Sequence, residues 1–302
     1  MKPFSPRRFL AVVFVGALAA SSPVLGQETP PASPTPHTHQ IPSELLGQPK
    51  RLCVYLPPAF DASGERRYPV LYFLHGLGNN AEDFFAEGIA QITDELIRAG
   101  EVEPLIVACP SGDFSFYVNR PGGAYEDHVT AEVRAFVENL YPARADRAGR
   151  GISGISMGGY GAIKIGLRRP ELYGSASGHT PFMLERLPDL KRTDARSQRL
   201  NGVFSRIFGN PIDSELWREN DPFELAQTRG LQGLALYFNS AAKDRYFLNR
   251  EANAFHRLLN EKGLSHAFEP IDDVHGWVSL RNQWAAILRF HHQIFDGGGR
   301  TP

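Results

Sequence analysis

Short uninterrupted apolar runs alternate along this chain with longer stretches whose apolar residues recur at helical spacing. Leu52-Cys53-Val54-Tyr55-Leu56, ending at Pro57-Pro58, predicts a strand, and Val70 to Leu74, stopped by His75-Gly76, predicts a second. From Glu82 to Ala99 the residues Phe85, Ile89, Ile92 and Leu96 share one face, and Gly100 supplies a C-terminal stop, so a helix is predicted. Leu105 to Ala108 predicts a strand closed by Cys109-Pro110, and Tyr125 to Leu140 a helix with Val129, Val133, Phe136, Val137 and Leu140 on one face. Gly151 to Ile155 reads as a short strand and Gly159 to Arg169 as a helix stopped by Pro170. Further on, Leu231 to Phe238 and His266 to Pro270 read as strands, and Asn249 to Lys262 and Trp284 to Phe295 as helices. This rhythm predicts an α/β fold: a mostly parallel central sheet with helices on both faces. Residues 182–227 break it; they are charged and only partly helical in pattern, which predicts a small helical insert lying over the sheet as a lid.

The first residues form a different pattern. Lys2, Arg7 and Arg8 precede the apolar run Phe9 to Ala20, which gives way to small residues and Pro23. This predicts a signal peptide over 1–26, cleaved after Val24-Leu25-Gly26, and an exported protein, periplasmic or extracellular. The run is short for a bilayer span, so no stable membrane span is expected after cleavage. A linker rich in Pro, Thr and Ser follows over 27–36, then a catalytic domain over 37–296 and a tail over 297–302. His37 and His39 read as solvated, His128 and His256 as surface residues on helices, and His291 and His292 as packing or solvated rather than metal ligands. The whole chain carries a formal charge of −1. That balance, with no basic run, gives no support for nucleic-acid binding. Two cysteines, Cys53 and Cys109, match no zinc or haem spacing, and no metal is expected; after export they either pair or stay as buried thiols.

Gly154-Ile155-Ser156-Met157-Gly158 stands between a strand pattern and a helix pattern, the setting in which a sharp turn exposes a serine nucleophile. A serine hydroxyl needs a base to take its proton, and usually a histidine held by a carboxylate supplies it. Asp244 and His275 each follow the end of a predicted strand, in the order serine, acid, histidine. Asp272 and Asp273 compete with Asp244, but their closeness to His275 in sequence makes the approach to its ring awkward. Attack on a carbonyl creates an oxyanion that needs fixed N–H donors. The backbone N–H of Met157, and that of Leu77 in the loop His75-Gly76-Leu77-Gly78-Asn79, are the candidates.

The segments His75-Gly76-Leu77-Gly78, Ser115 to Asn119 followed by Tyr125-Glu126-Asp127, and Gly151 to Ala162 resemble the Putative esterase family of α/β hydrolases. That family includes S-formylglutathione hydrolases (esterase D), tributyrin esterases, feruloyl esterases and mycolyltransferases. Asn220-Asp221-Pro222 and His275-Gly276-Trp277 with Trp284 are similar too, and the resemblance spans roughly residues 40–295. It implies an α/β-hydrolase fold, a triad of Ser156, Asp244 and His275, oxyanion donors at Leu77 and Met157, and no cofactor. Asn239-Ser240 departs from the family pattern, where relatives often carry glycine. The family's second strand runs antiparallel beside the fourth, which would make Cys53 and Cys109 cross-strand neighbours and implies a disulfide between them.

The expected activity is that of an exported serine carboxylesterase cutting short-chain or aromatic, feruloyl-like acyl esters, on a small-molecule or polysaccharide-linked substrate. Phe116, Tyr117 and Trp277 are candidates for aromatic walls of the substrate site. An acyltransferase of the mycolyltransferase type and a non-catalytic cell-surface binding protein on the same scaffold are the alternatives.

Overall fold

The computed structural model describes residues 33–187 and 195–297. The predicted signal peptide, the linker up to residue 32, residues 188–194 of the insert and the tail beyond 297 lie outside the described residues. Strands β1 (His37–Ile41), β2 (Lys50–Tyr55), β3 (Val70–Leu74), β4 (Ile106–Pro110), β5 (Arg150–Ile155), β6 (Ser175–His179), β7 (Ala235–Ala241) and β8 (Ala267–Ile271) form one sheet. Its spatial order is β1-β2-β4-β3-β5-β6-β7-β8, antiparallel through β1, β2 and β4 and parallel from β4 to β8. Alternation along β3 divides the core: Val70, Tyr72 and Leu74 pack toward the helix Met157–Arg168, Leu71 and Phe73 toward the helix Trp277–Phe295. Among the described residues no helix is long and apolar enough to cross a membrane.

Several elements differ from the sequence pattern. Gly88, at φ 77°, breaks the first predicted helix into Asp83–Ala86 and Ile89–Arg98. The last helix starts at Trp277, two residues after His275, rather than at Trp284. His37 and His39 lie in β1, not in a solvated linker, and His39 Nε2 pairs with the Tyr141 hydroxyl at 2.7 Å. His128 is buried, with Nδ1 2.6 Å from Glu132 Oε2, inside a wide helical turn. The insert forms the helices Ala195–Phe208, Ser214–Asn220 and Pro222–Arg229, and Phe204, Phe208 and Trp217 pack as one aromatic cluster.

The cysteines need a correction. Cys53 and Cys109 stand opposite each other in the antiparallel β2–β4 ladder, yet both are buried free thiols and no disulfide joins them. Burial pushes both thiols above their usual range. Cys53 Sγ instead contacts Thr38 Oγ1 at 3.7 Å.

Strand β6 escaped the apolar pattern because Ser-Ala-Ser-Gly-His contains no large apolar residue, although all five are buried. Its burial is matched by a hydrogen-bonded relay on one face. Ser175 Oγ lies 2.7 Å from His291 Nδ1, and His291 Nε2 lies 2.8 Å from Ser177 Oγ. Ser177 donates its own proton to Ser153 Oγ, so Nε2–H must donate to Ser177. With the imidazole neutral, Nδ1 then accepts from Ser175. Burial holds His291 down at about 3, and burial plus the nearby His275 hold His179 at about 3.

Unfolded imidazoles titrate near ~6.5, so unfolding below that pH takes up protons at both histidines. Their stabilisation is complete above roughly 6.5 and is lost as pH falls toward about 3. Asp221 acts in the opposite sense: burial pushes its carboxyl up to about 7, so the folded chain keeps a proton there that the unfolded chain releases. The net uptake is one proton, which predicts stability falling by about 1.4 kcal/mol per unit between roughly pH 6 and 4.5. Buried His75 and His128, both held below their usual range, add in the same direction. Urea unfolding at pH 6 and pH 5 measures the slope, and equal stability at the two would contradict it.

Candidate active site

Ser156 occupies the turn between β5 and the helix Met157–Arg168, at a strained positive φ of 56° with ψ −113°. The small flanking residues have a geometric cause. A Cβ on Gly158 would lie 1.9 Å from the Leu74 carbonyl oxygen, and one on Gly154 would lie 2.4 Å from Gly158 itself. The backbone at Ser156 is tied on both sides: its N–H donates to the His179 carbonyl at 2.9 Å, and its carbonyl accepts from Tyr160 N–H and Phe182 N–H. Thr180, next to His179, also has positive φ (42°), and its N–H donates to Asn239 Oδ1 at 3.1 Å. The asparagine that departs from the family pattern thus supplies an acceptor to the strained turn gripping the serine. A glycine there would have no side chain to do so.

Three loops at the ends of parallel strands meet at this turn. His275, after β8, places Nε2 at 2.9 Å from Ser156 Oγ and Nδ1 at 3.0 Å from Asp244 Oδ2, and Asp244 closes β7. A carboxylate only accepts, so Nδ1 carries the proton and Nε2 presents a lone pair to the serine hydroxyl. Asp244 Oδ1 is held by Tyr246 N–H at 2.7 Å, which fixes the carboxylate. The rival acids are engaged elsewhere: Asp272 pairs with Lys243 at 2.9 Å, and Asp273 accepts from Val274 N–H and the Asn282 amide. The arrangement can take a proton from the Ser156 hydroxyl and return it to a leaving group.

The β3 loop comes close to the serine, since a Cβ on Gly76 would lie 3.5 Å from Ser156 Cβ. Leu77 is in this loop, and Met157 opens the helix directly after Ser156. His75 braces the loop. Its Nδ1 faces the Gly76 carbonyl at 2.8 Å and must donate, while Nε2 accepts Gly112 N–H at 2.9 Å. Burial lowers the His75 pKa, in keeping with this neutral tautomer.

Phe116 and Tyr117 do not line a substrate wall. They are 1% and 0% exposed, both at φ 53°. Phe116 packs on Tyr160, Phe182 and Phe204, and the Tyr117 hydroxyl donates to the His75 carbonyl at 3.2 Å. The segment was legible as apolar, but its side of the loop was not. Lys164, fully buried, donates to the Tyr117 carbonyl and pairs with Glu126 Oε2 at 2.7 Å, and Arg168 Nε meets Glu126 Oε1 at 3.1 Å. This strut, absent from the sequence reading, ties the helix after Ser156 to the loop supporting His75. Trp277 is partly buried against Phe73, with ring centroids 6.1 Å apart.

The model of the family described as Putative esterase matches residues 43–291. An "Endo-1,4-beta-xylanase/feruloyl esterase" of Xylanibacter ruminicola is 34% identical over 161 residues, 49% of this chain; the chain spans only 22% of that protein's length. The S-formylglutathione hydrolase of Paracoccus denitrificans is 29% identical over 248 residues, covering 76% of this chain and 79% of its own. A solved ferulic acid esterase superposes with a TM-score of 0.73 at 24% identity, over 86% of this chain and 98% of its own. The Staphylococcus aureus fluorophosphonate-binding serine hydrolase FphF gives 0.71 at 24%, over 86% and 99%. At such identity these structures show a common fold, that of the α/β hydrolases, which the strand order displays. Because the family model spans most of the described residues, the chain belongs to the Putative esterase family, an α/β-hydrolase family of esterases.

Proposed function

We propose that this esterase is an exported serine carboxylesterase that cuts short-chain or aromatic, feruloyl-like acyl esters through an acyl-enzyme. The observation that carries the reading is the continuous hydrogen-bonded line from Asp244 through His275 to Ser156 Oγ. His275 takes the hydroxyl proton as Ser156 Oγ bonds to the ester carbonyl carbon. The Leu77 and Met157 N–H groups receive the oxyanion, each contributing about 3 kcal/mol to the barrier reduction. The intermediate collapses, the carbon–alkoxide bond breaks, and His275 hands its proton to the departing alcohol. Water then attacks the acyl-enzyme, its proton passes to His275 and on to Ser156 Oγ, and the acid is released.

Export rests on the leader pattern of residues 1–26, and it argues against S-formylglutathione, a cytosolic metabolite, as the substrate. The feruloyl esterase named among the relatives supports an aromatic acyl group on plant polysaccharide as one substrate class. A panel of p-nitrophenyl esters from acetate to palmitate, together with methyl ferulate, tests this. Acetate to butyrate or the ferulate should be hydrolysed, with a burst of product matching the enzyme concentration. Preference for palmitate, or acyl transfer to added sugar outrunning hydrolysis, would sink it.

A further inference from the structure

Among the described residues seven large apolar side chains are exposed, and four of them, Tyr246, Phe247, Val274 and Val278, lie within three positions of Asp244 or His275. Scattered exposed apolar residues are ordinary, but four so close in sequence to two functional side chains are not. The exposure is substantial, from 40% at Tyr246 to 55% at Val278. The loop after Asp244 is built to hold Tyr246 and Phe247 there. Asp244 directs one carboxylate oxygen at His275 and the other at Tyr246 N–H, so a single side chain sets both positions. The Tyr246 ring meets the imidazole edge-on, with centroids 5.1 Å apart and planes at 81°. Phe247 N–H donates to the Asp244 carbonyl at 3.0 Å, with Phe247 at φ 60°, a conformation bulky residues rarely adopt. The Arg245 guanidinium lies over the Tyr246 ring at 4.8 Å and that of Arg250 over Phe247 at 5.3 Å.

The chemistry says which half of the substrate meets this rim. When the tetrahedral intermediate breaks, the proton on His275 Nε2 goes to the alcohol oxygen, so that oxygen must lie within hydrogen-bond reach of the imidazole. The alcohol portion therefore extends past the side chains packed beside His275. We propose that Tyr246, Phe247, Val274 and Val278 form the subsite for the alcohol half of the ester, shaped for a ring-bearing alcohol with an apolar face. Two exposed aromatic rings with guanidinium groups at their faces offer stacking surface and hydrogen-bond donors together. A ring with an apolar face and oxygen acceptors uses both, whereas methanol uses neither.

This inference rests on the assignment of Ser156 and His275, and its test separates the two. Acetates of one acyl group are compared: methyl acetate, benzyl acetate and a mono-acetylated methyl glycoside. The wild type should favour at least one ring ester over methyl acetate by about tenfold in kcat/KM, and the better ring arm identifies an aryl or a sugar alcohol. The double substitution Tyr246→Ala with Phe247→Ala should bring that ratio to about one, and Val278→Glu should lower it as well. Tyr246→Phe should keep it. Because each ratio is taken within one variant, general damage to the enzyme cancels. A wild-type ratio near one, a ratio unchanged in the variants, or a rate that jumps only on emulsified long-chain esters would overturn the subsite. Absence of hydrolysis of every ester with no fluorophosphonate label on Ser156 would instead overturn the esterase reading beneath it.

Discussion

Ser156→Ala lowers kcat on p-nitrophenyl acetate by roughly 10⁵- to 10⁶-fold, an expected loss of about 7–8 kcal/mol in transition-state stabilisation. The magnitude follows from the line of contacts. With Oγ removed, His275 Nε2 faces no hydroxyl, and Asp244 orients a base that has nothing to deprotonate. Members of such a unit fail together, so His275→Ala should cost a similar factor, and the double variant should cost little more than either alone. The residual rate over water is the share left to the oxyanion donors and to binding. Folding should be almost untouched, because the strained φ of Ser156 is held by backbone bonds to His179, Tyr160 and Phe182 that alanine also makes. Active-site titration with a fluorophosphonate and thermal unfolding, run on the same preparations, separate lost chemistry from lost structure. A Ser156→Ala protein that still turns over near the wild-type rate would end the assignment.

The elements most legible in the sequence were those whose burial is apolar. Val70–Leu74 and Ile106–Pro110 are buried along their whole length and announce themselves as uninterrupted apolar runs. Strand β6 is buried just as fully without a large apolar residue, its two serine hydroxyls matched by His291 from a helix more than a hundred residues away. No local pattern contains that partner. Candidate site residues followed the same division. Ser156, Asp244 and His275 are positioned by strand ends and chain order, which a sequence displays, and the structure brings the three together. Phe116 and Tyr117 are positioned by positive φ and by contacts across the loop, so their chemistry was visible but not their direction. Cys53 and Cys109 show what register can display: the ladder sets them opposite each other, as the resemblance implied, and in the structure both are free thiols.

Lys164→Met should destabilise the fold by about 3–5 kcal/mol, because it leaves the carboxylate of Glu126 buried with one of its two cations gone. Burial alone would raise the Glu126 pKa, but Lys164 and Arg168 together hold it below the usual carboxylate range. Burial likewise lowers the Lys164 pKa, with Glu126 pulling the other way, so each charge depends on the other. Methionine fills most of the lysine volume without a charge, so the loss is electrostatic rather than a cavity. Urea unfolding measures it. Adding Glu126→Gln should recover much of the stability, since the uncompensated charge disappears. Activity should recover less. The Tyr117 carbonyl still lacks the donor that Lys164 provided, and the Tyr117 hydroxyl is what meets the His75 carbonyl beside the loop of Leu77. With that loop less firmly held, the double variant should keep its KM and lose about tenfold in kcat, the pattern of a weakened interaction made in the transition state. A double variant restored in both stability and kcat would show that the strut serves the fold and not the oxyanion loop.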